Sequence, residues 1–93
     1  MLVLPDRLTH EQAPACSAML AATLRAQPAG DVCVDASALQ HFDSSALAVL
    51  LACRREALAA GRRFAVQGMP LRLQSLAGLY GVASLLDGAL HKV

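Results

Sequence analysis

Short apolar runs that suit strands alternate along this chain with longer stretches whose apolar residues recur at a helical period. The order is strand, helix, strand, helix, strand, helix. Consecutive parallel strands need a crossover connection, and a helix is the usual one, so the order implies parallel pairing with right-handed crossovers. The expected fold class is α/β: a small, mostly parallel sheet covered by helices. Ninety-three residues hold one such unit, so residues 1–93 are read as a single domain. In sheets of this kind the functional edge lies beyond the carboxyl ends of the strands.

Residues 1–4 form an apolar run closed by Pro5 and Asp6, which fits a first strand. Thr9 stands as a helix N-cap with Gln12 three residues on, and Leu8 precedes it as the apolar residue of a staple. The helix that follows should bury Cys16, Met19, Leu20 and Leu24, tolerate Pro14 in its first turn, and stop at Pro28, Ala29 and Gly30. Residues 31–35 read as a buried strand ending in Asp35, and residues 37–42 as a loop. Asp43 then caps a second helix reaching about Ala60, with Gly61 as its stop and Leu47, Leu50, Leu51, Ala57 and Leu58 toward the sheet. Residues 64–67 form the third strand, ended by Gly68. Pro70 opens a helix carrying Leu71, Leu73, Leu76, Ala77 and Leu79, which stops near Gly78 or Gly81. Residues 82–86 fit helix or strand equally well, and Asp87 and Gly88 close that segment.

Hydrophobic residues make up 56% of the chain, but only two Phe and one Tyr are aromatic, so Ala, Leu and Val must fill the core. Charged residues, prolines or glycines interrupt every apolar window well short of the ~18 residues of a membrane span. No basic region precedes an apolar segment at the start, so no secretory signal is expected and the cytoplasm is the default compartment. A formal charge of +1 with scattered arginines argues against nucleic acid as a partner. Cys16, Cys33 and Cys53 are odd in number, far apart and set among apolar residues, which fits reduced core thiols.

The polar sequence Asp43-Ser44-Ser45 at a helix start is the candidate site. A serine nucleophile needs a positioned base and an oxyanion hole; His41 is near in sequence, but no G-x-S-x-G elbow surrounds either serine. No catalytic residue is assigned. Asp35, His41 and Asp43 match no metal-binding spacing, and neither glycine-rich phosphate loop occurs, so no metal or cofactor is assigned. A helix N-terminus still holds anions without such a loop, which leaves Asp35 and Ser44 as an anion or nucleotide contact. Arg54-Arg55-Glu56 and Arg62-Arg63 are read as solvated faces or a recognition surface. A small domain with an accessible polar helix start and no catalytic set has the profile of an interaction module. A phosphate on either serine would add roughly −1.5 to −2 charges there, stabilising the helix while repelling an acidic or apolar partner.

The runs Val32-Cys33-Val34-Asp35, Phe42-Asp43-Ser44-Ser45-Ala46-Leu47 and Phe64-Ala65-Val66-Gln67-Gly68 resemble the STAS domain family over nearly the whole chain. Two branches of that family imply different functions. In anti-sigma factor antagonists the second hydroxyl of the motif, here Ser45, is phosphorylated by a partner kinase. In MlaB-like chains, the stand-alone STAS subunits of Mla-type phospholipid ABC transporters, the residue after the aspartate, here Ser44, contacts the ATPase subunit. Gln67-Gly68 and Leu76-Ala77-Gly78-Leu79-Tyr80 are similar to the MlaB-like pattern. That resemblance implies a non-enzymatic subunit at the inner face of the inner membrane, binding its ATPase through Asp43, Ser44, Ser45, Leu47, Arg54 and Arg55; an exposed docking surface on so apolar a chain is expected to self-associate in isolation, as a homodimer. Two departures stand out: Ala46 replaces the usual glycine, a methyl expected to narrow access at that turn, and one N-terminal strand of the family is not evident.

Overall fold

The computed structural model describes residues 2–27 and 29–86. Strand β1 (Leu2–Val3) leads through a short turn to β2 (Arg7–Leu8) and helix α1 (Ala13–Ala26). Strand β3 (Val32–Asp35), strand β4 (His41–Phe42) and helix α2 (Ser45–Ala59) repeat that order, followed by β5 (Phe64–Gln67), α3 (Leu71–Leu79) and a short α4 (Ala83–Leu86). Pro28, expected to help stop the first helix, and Asp87 and Gly88, expected to close the last segment, lie outside the described residues.

The expected α/β fold with parallel pairing is present, divided between two small sheets. The larger has the order β1-β3-β5, parallel throughout. Both crossovers step in the same direction, so the right-handed rule sets α1 and α2 over the same face, where they pack side by side. Leu2, Val34 and Val66 share one row across the sheet, and Val32 and Phe64 another; these side chains face the helices. The opposite face carries Val3, Asp35 and Gln67 in one row and Cys33 and Ala65 in the next, and Val3 is 58% exposed. Leu4, Leu8, Leu20, Leu50, Leu73, Leu86 and Val34 are the largest fully buried side chains, so the interior is aliphatic as the composition demands.

The smaller sheet pairs β2 with β4, also in parallel, with Arg7 opposite His41 and Leu8 opposite Phe42. Leu8 and Phe42 are buried, whereas Arg7 and His41 face solvent. The segment expected as a loop over residues 37–42 therefore ends in a strand, and the N-terminal run supplies two short strands to two different sheets. Two-residue strands carry no periodicity, and their pairing is set from outside: the Asp6 carbonyl accepts the N–H groups of Gln40 and His41.

Regular helix α1 begins at Ala13 and not at Thr9. Residues 9–12 make a separate turn in which the Thr9 N–H and hydroxyl both donate to Gln12 Oε1, at 3.0 and 2.8 Å. Pro14 has no N–H to return to His10, which interrupts the ladder there. Met19 and Leu58, expected on buried faces, are exposed, as are Leu71 and Leu79 of α3. In α3 the buried pair is Leu73 and Ala77, one turn apart, and Leu71 and Leu79 lie about 200° and 240° round the helix from Leu73.

Helices α2 and α3 end alike. Gly61 and Gly81 both take a φ of 72°. At α2 the Arg62 N–H donates to Ala57 O and the Gly61 N–H to Leu58 O; at α3 the Val82 N–H donates to Ala77 O and the Gly81 N–H to Gly78 O. These are Schellman closures, and the second turns the chain so that α4 brings Leu86 back into the core.

Candidate functional site

Because β2 and β4 run parallel in register, the segments that follow them emerge side by side. One leads into α1 and the other into α2, so His10 comes to lie beside Asp43. Asp43 uses both carboxylate oxygens. Oδ1 accepts the Ser45 N–H at 2.8 Å, which satisfies one of the free donors of the first turn, and Oδ2 accepts the His10 N–H at 3.2 Å. The His10 imidazole Nδ1 stands 3.6 Å from the same Oδ2. The Asp43 carboxyl is held below the usual carboxylate range chiefly by the Ser45 N–H, with the His10 N–H acting in the same direction and partial desolvation opposing them. Asp43 is thus a clamp between the two helix starts, and its oxygens are engaged within the chain.

Ser44 already has helical backbone angles, φ −63° and ψ −15°, and its carbonyl accepts the N–H groups of Leu47 and Ala48. Its side chain is exposed and sits at the end of a groove of about 280 Å³ lined by Leu47, Ala48, Leu51, Tyr80 and Val82. Ser45, one residue on, is half-buried. Ala46 is wholly buried, so its methyl points into the core. The expected narrowing of access at this turn does not arise.

Asp35 ends β3 on the outer face of the larger sheet, where its Oδ1 accepts the Ser37 N–H at 2.9 Å. Hydrogen bonding from Ser37 lowers its pKa. Among the described residues no hydrogen bond or ion pair joins Asp35 to Asp43 or Ser44. Also among the described residues, no group of three His, Cys, Asp or Glu could hold a metal ion.

Leu47 forms part of the groove floor and is buried, while Arg54 is half-buried and Arg55 exposed on the following turn of α2. Arg62 and Arg63 belong elsewhere: Arg62 binds backbone carbonyls at the end of α1, and Arg63 stands 3.5 Å from Asp31. Sequence reasoning missed His10 and the groove wall made by Tyr80 and Val82, which are brought in from distant parts of the chain. The available signal was the lone tyrosine in a chain with three aromatic residues, lying next to a helix-ending glycine.

Among the described residues no helix is long and apolar enough to cross a membrane. No curated protein matches the chain. The model of the family described as "Mlab, STAS domain" matches residues 1–87, nearly the whole sequence. With its parallel sheet, its polar helix start at Asp43 and this match, the chain belongs to the MlaB-like STAS domain family.

Proposed function

We propose that this chain is the non-enzymatic STAS subunit of a phospholipid ABC transporter of the Mla type, which maintains outer-membrane lipid asymmetry. It binds the transporter's ATPase at the cytoplasmic face of the inner membrane and stabilises or regulates it. Family membership supports a binding or regulatory role. The observation that carries the finer reading is the placement of Ser44: Asp43 is fixed at both oxygens, and the exposed serine next to it lines an apolar groove. An exposed hydroxyl beside an apolar groove suits docking, since it supplies orientation and burial together.

The rival function is that of an anti-sigma factor antagonist phosphorylated at Ser45, whose surroundings would bear on any phosphorylation. Ser45 is half-buried, and its N–H already holds the Asp43 carboxylate at 2.8 Å. A phosphate there would set two like charges against each other.

Co-purification with the ATPase subunit of the phospholipid transporter from the same genome tests the proposal. The wild-type chain is expected to carry the ATPase through affinity and size-exclusion steps, and Ser44→Glu to lose it. A complex that survives Ser44→Glu unchanged overturns the assignment of the site. Phosphoryl transfer from ATP by a cognate kinase, abolished by Ser45→Ala, would establish the rival.

A further inference from the structure

The groove beside Ser44 has a chemical direction. Its floor is Leu47 and Leu51 of α2, and its far wall is Tyr80 and Val82 from the turn between α3 and α4. Tyr80 is 62% exposed and the adjoining Leu79 82%, so this wall holds apolar surface in water. Exposed aromatic and aliphatic surface gathered around a groove is characteristic of interaction sites. One turn beyond Leu51 come Arg54 and Arg55, at i+3 and i+4, and exposed Leu58 follows at i+7. Among the described residues Arg63 pairs with Asp31 and the His10 imidazole lies beside Asp43; neither contact engages Arg54 or Arg55. Over about 16 Å of helix from Ser44 to Arg55, the stripe passes from hydroxyl to apolar to arginine, with Arg55 also lining a second groove toward α1 beside Glu56.

The geometry points to one occupant: an amphipathic helix of the partner protein, with its apolar ridge along Leu47, Leu51 and Tyr80 and carboxylates over Arg54 and Arg55. About three turns suffice to span the surface, with apolar side chains spaced at i, i+3 or i+4, and i+7. A second copy of this chain fits less well. Parallel pairing of two α2 helices would bring the arginines together. Antiparallel pairing would set the two arginines of each copy against a single Asp43 carboxylate, whose charge is already shared with the Ser45 and His10 N–H groups, leaving cationic charge in excess. This inference rests on reading the site as the docking surface for the ATPase, and adds the chemistry of the docking segment.

The test measures Kd between the full chain and the purified ATPase subunit at low and high salt, for the wild type, Tyr80→Ala and the double variant Arg54→Glu/Arg55→Glu. Tyr80→Ala is expected to weaken binding ~30-fold, the size of an aromatic anchor. The charge reversal is expected to weaken it at least ~10-fold at low salt and to flatten its salt dependence. Thermal unfolding of each variant verifies that the domain remains folded. In a second arm, overlapping synthetic peptides covering the ATPase are added to the 15N-labelled chain. An acidic amphipathic helical peptide is expected to shift the resonances of Leu47, Leu51 and Tyr80. Wild-type affinity in both variants overturns the groove while leaving the ATPase reading intact, and a basic or extended peptide at those residues overturns the occupant. A wild-type chain that fails to bind the ATPase overturns both readings. A dimer of this chain that Leu51→Glu dissociates identifies a second copy as the occupant and also overturns the proposal.

Discussion

Replacing Arg62 tests how the two halves of the crossover layer are held together. The Schellman closure at Gly61 turns the chain so that the Arg62 guanidinium reaches back over the end of α1. Nε donates to Gly30 O at 2.8 Å, and one terminal nitrogen donates to Leu24 O at 3.2 Å. The other donates to Ala29 O at a marginal 3.4 Å. Leu24 O is one of the carbonyls a helix C-terminus leaves without a partner, and a cation there also complements the dipole. A hydrogen bond to a charged group contributes about 1.5–3 kcal/mol when well formed. With two good bonds, one long bond and a half-exposed side chain, the low end applies, so Arg62→Ala should cost about 2 kcal/mol. For a domain of this size that lowers Tm by ~10 °C, read by far-ultraviolet circular dichroism. Arg62→Lys, which keeps the charge but loses the planar fork, should lose roughly half as much. Arg63→Ala is the matched control: its pair with Asp31 is exposed on both sides and contributes at most ~0.5 kcal/mol. Because the acceptors of Arg62 are neutral carbonyls, its effect should persist in high salt. An Arg62→Ala domain that melts within about 2 °C of wild type, or no lower than Arg63→Ala, refutes the reasoning.

Asp43 and Asp35 both have carboxyls held below their ordinary range in the folded state, so the unfolded chain binds more protons as pH falls. Their stabilising contribution is present above the unfolded aspartate pKa and is lost as pH falls through the lower folded value. Acid titration of the melting temperature should therefore show a decline beginning below about pH 4 that is shallower in Asp43→Asn. Glycine substitutions should separate backbone cost from collision. Gly61→Ala meets open space and should cost about 1–2 kcal/mol for its left-handed φ, whereas a Cβ at Gly68 falls 2.8 Å from Ser37 Cβ. Gly68→Ala should cost on the order of 3 kcal/mol by urea unfolding, and Ser37→Gly should restore part of that loss. Thiol labelling should distinguish the cysteines. Half-buried Cys33 should react first, while Cys16 and Cys53 should react only on unfolding, since burial pushes the Cys53 thiol up to about 11 and raises that of Cys16.

The elements that sequence made legible were those that carry their own signal. Val32, Val34, Phe64 and Val66 alternate inward along short strands with turn residues at both ends, and Cys16, Leu20 and Leu24 mark a single helical stripe. Strands β2 and β4 could not be read, because each is two residues long and exists only through its partner. The buried faces of α2 and α3 were only partly legible for a different reason. Leu and Ala surround these helices so completely that apolar residues such as Leu58, Leu71 and Leu79 fall on exposed faces, and too few polar residues remain to mark the difference. The site divides in the same way. Asp43, Ser44 and Ser45 stand together in sequence, but the clamp needs His10 through the β2–β4 pairing, and the groove needs Tyr80 through the closure at Gly81.

Helical phase is what distinguishes the two serines. Ser44 lies at i, i+3, i+4 and i+7 spacing with Leu47, Ala48 and Leu51, so it belongs to the stripe that lines the groove. Ser45 is about 100° further round the helix, in line with Val49 and Cys53, both of which are buried. A partner that fills the groove therefore meets the first hydroxyl, whereas a kinase that needed the second would have to act at a half-buried position beside a fixed carboxylate. Asp43 sets this phase, because its bond to the Ser45 N–H starts the helix at a defined residue and its bond to His10 ties that start to the other helix layer. In the proposed function its role is to position Ser44 and not to touch the partner. Asp43→Asn, which keeps an acceptor for one of the two N–H groups, should then preserve docking better than Asp43→Ala, which can accept neither.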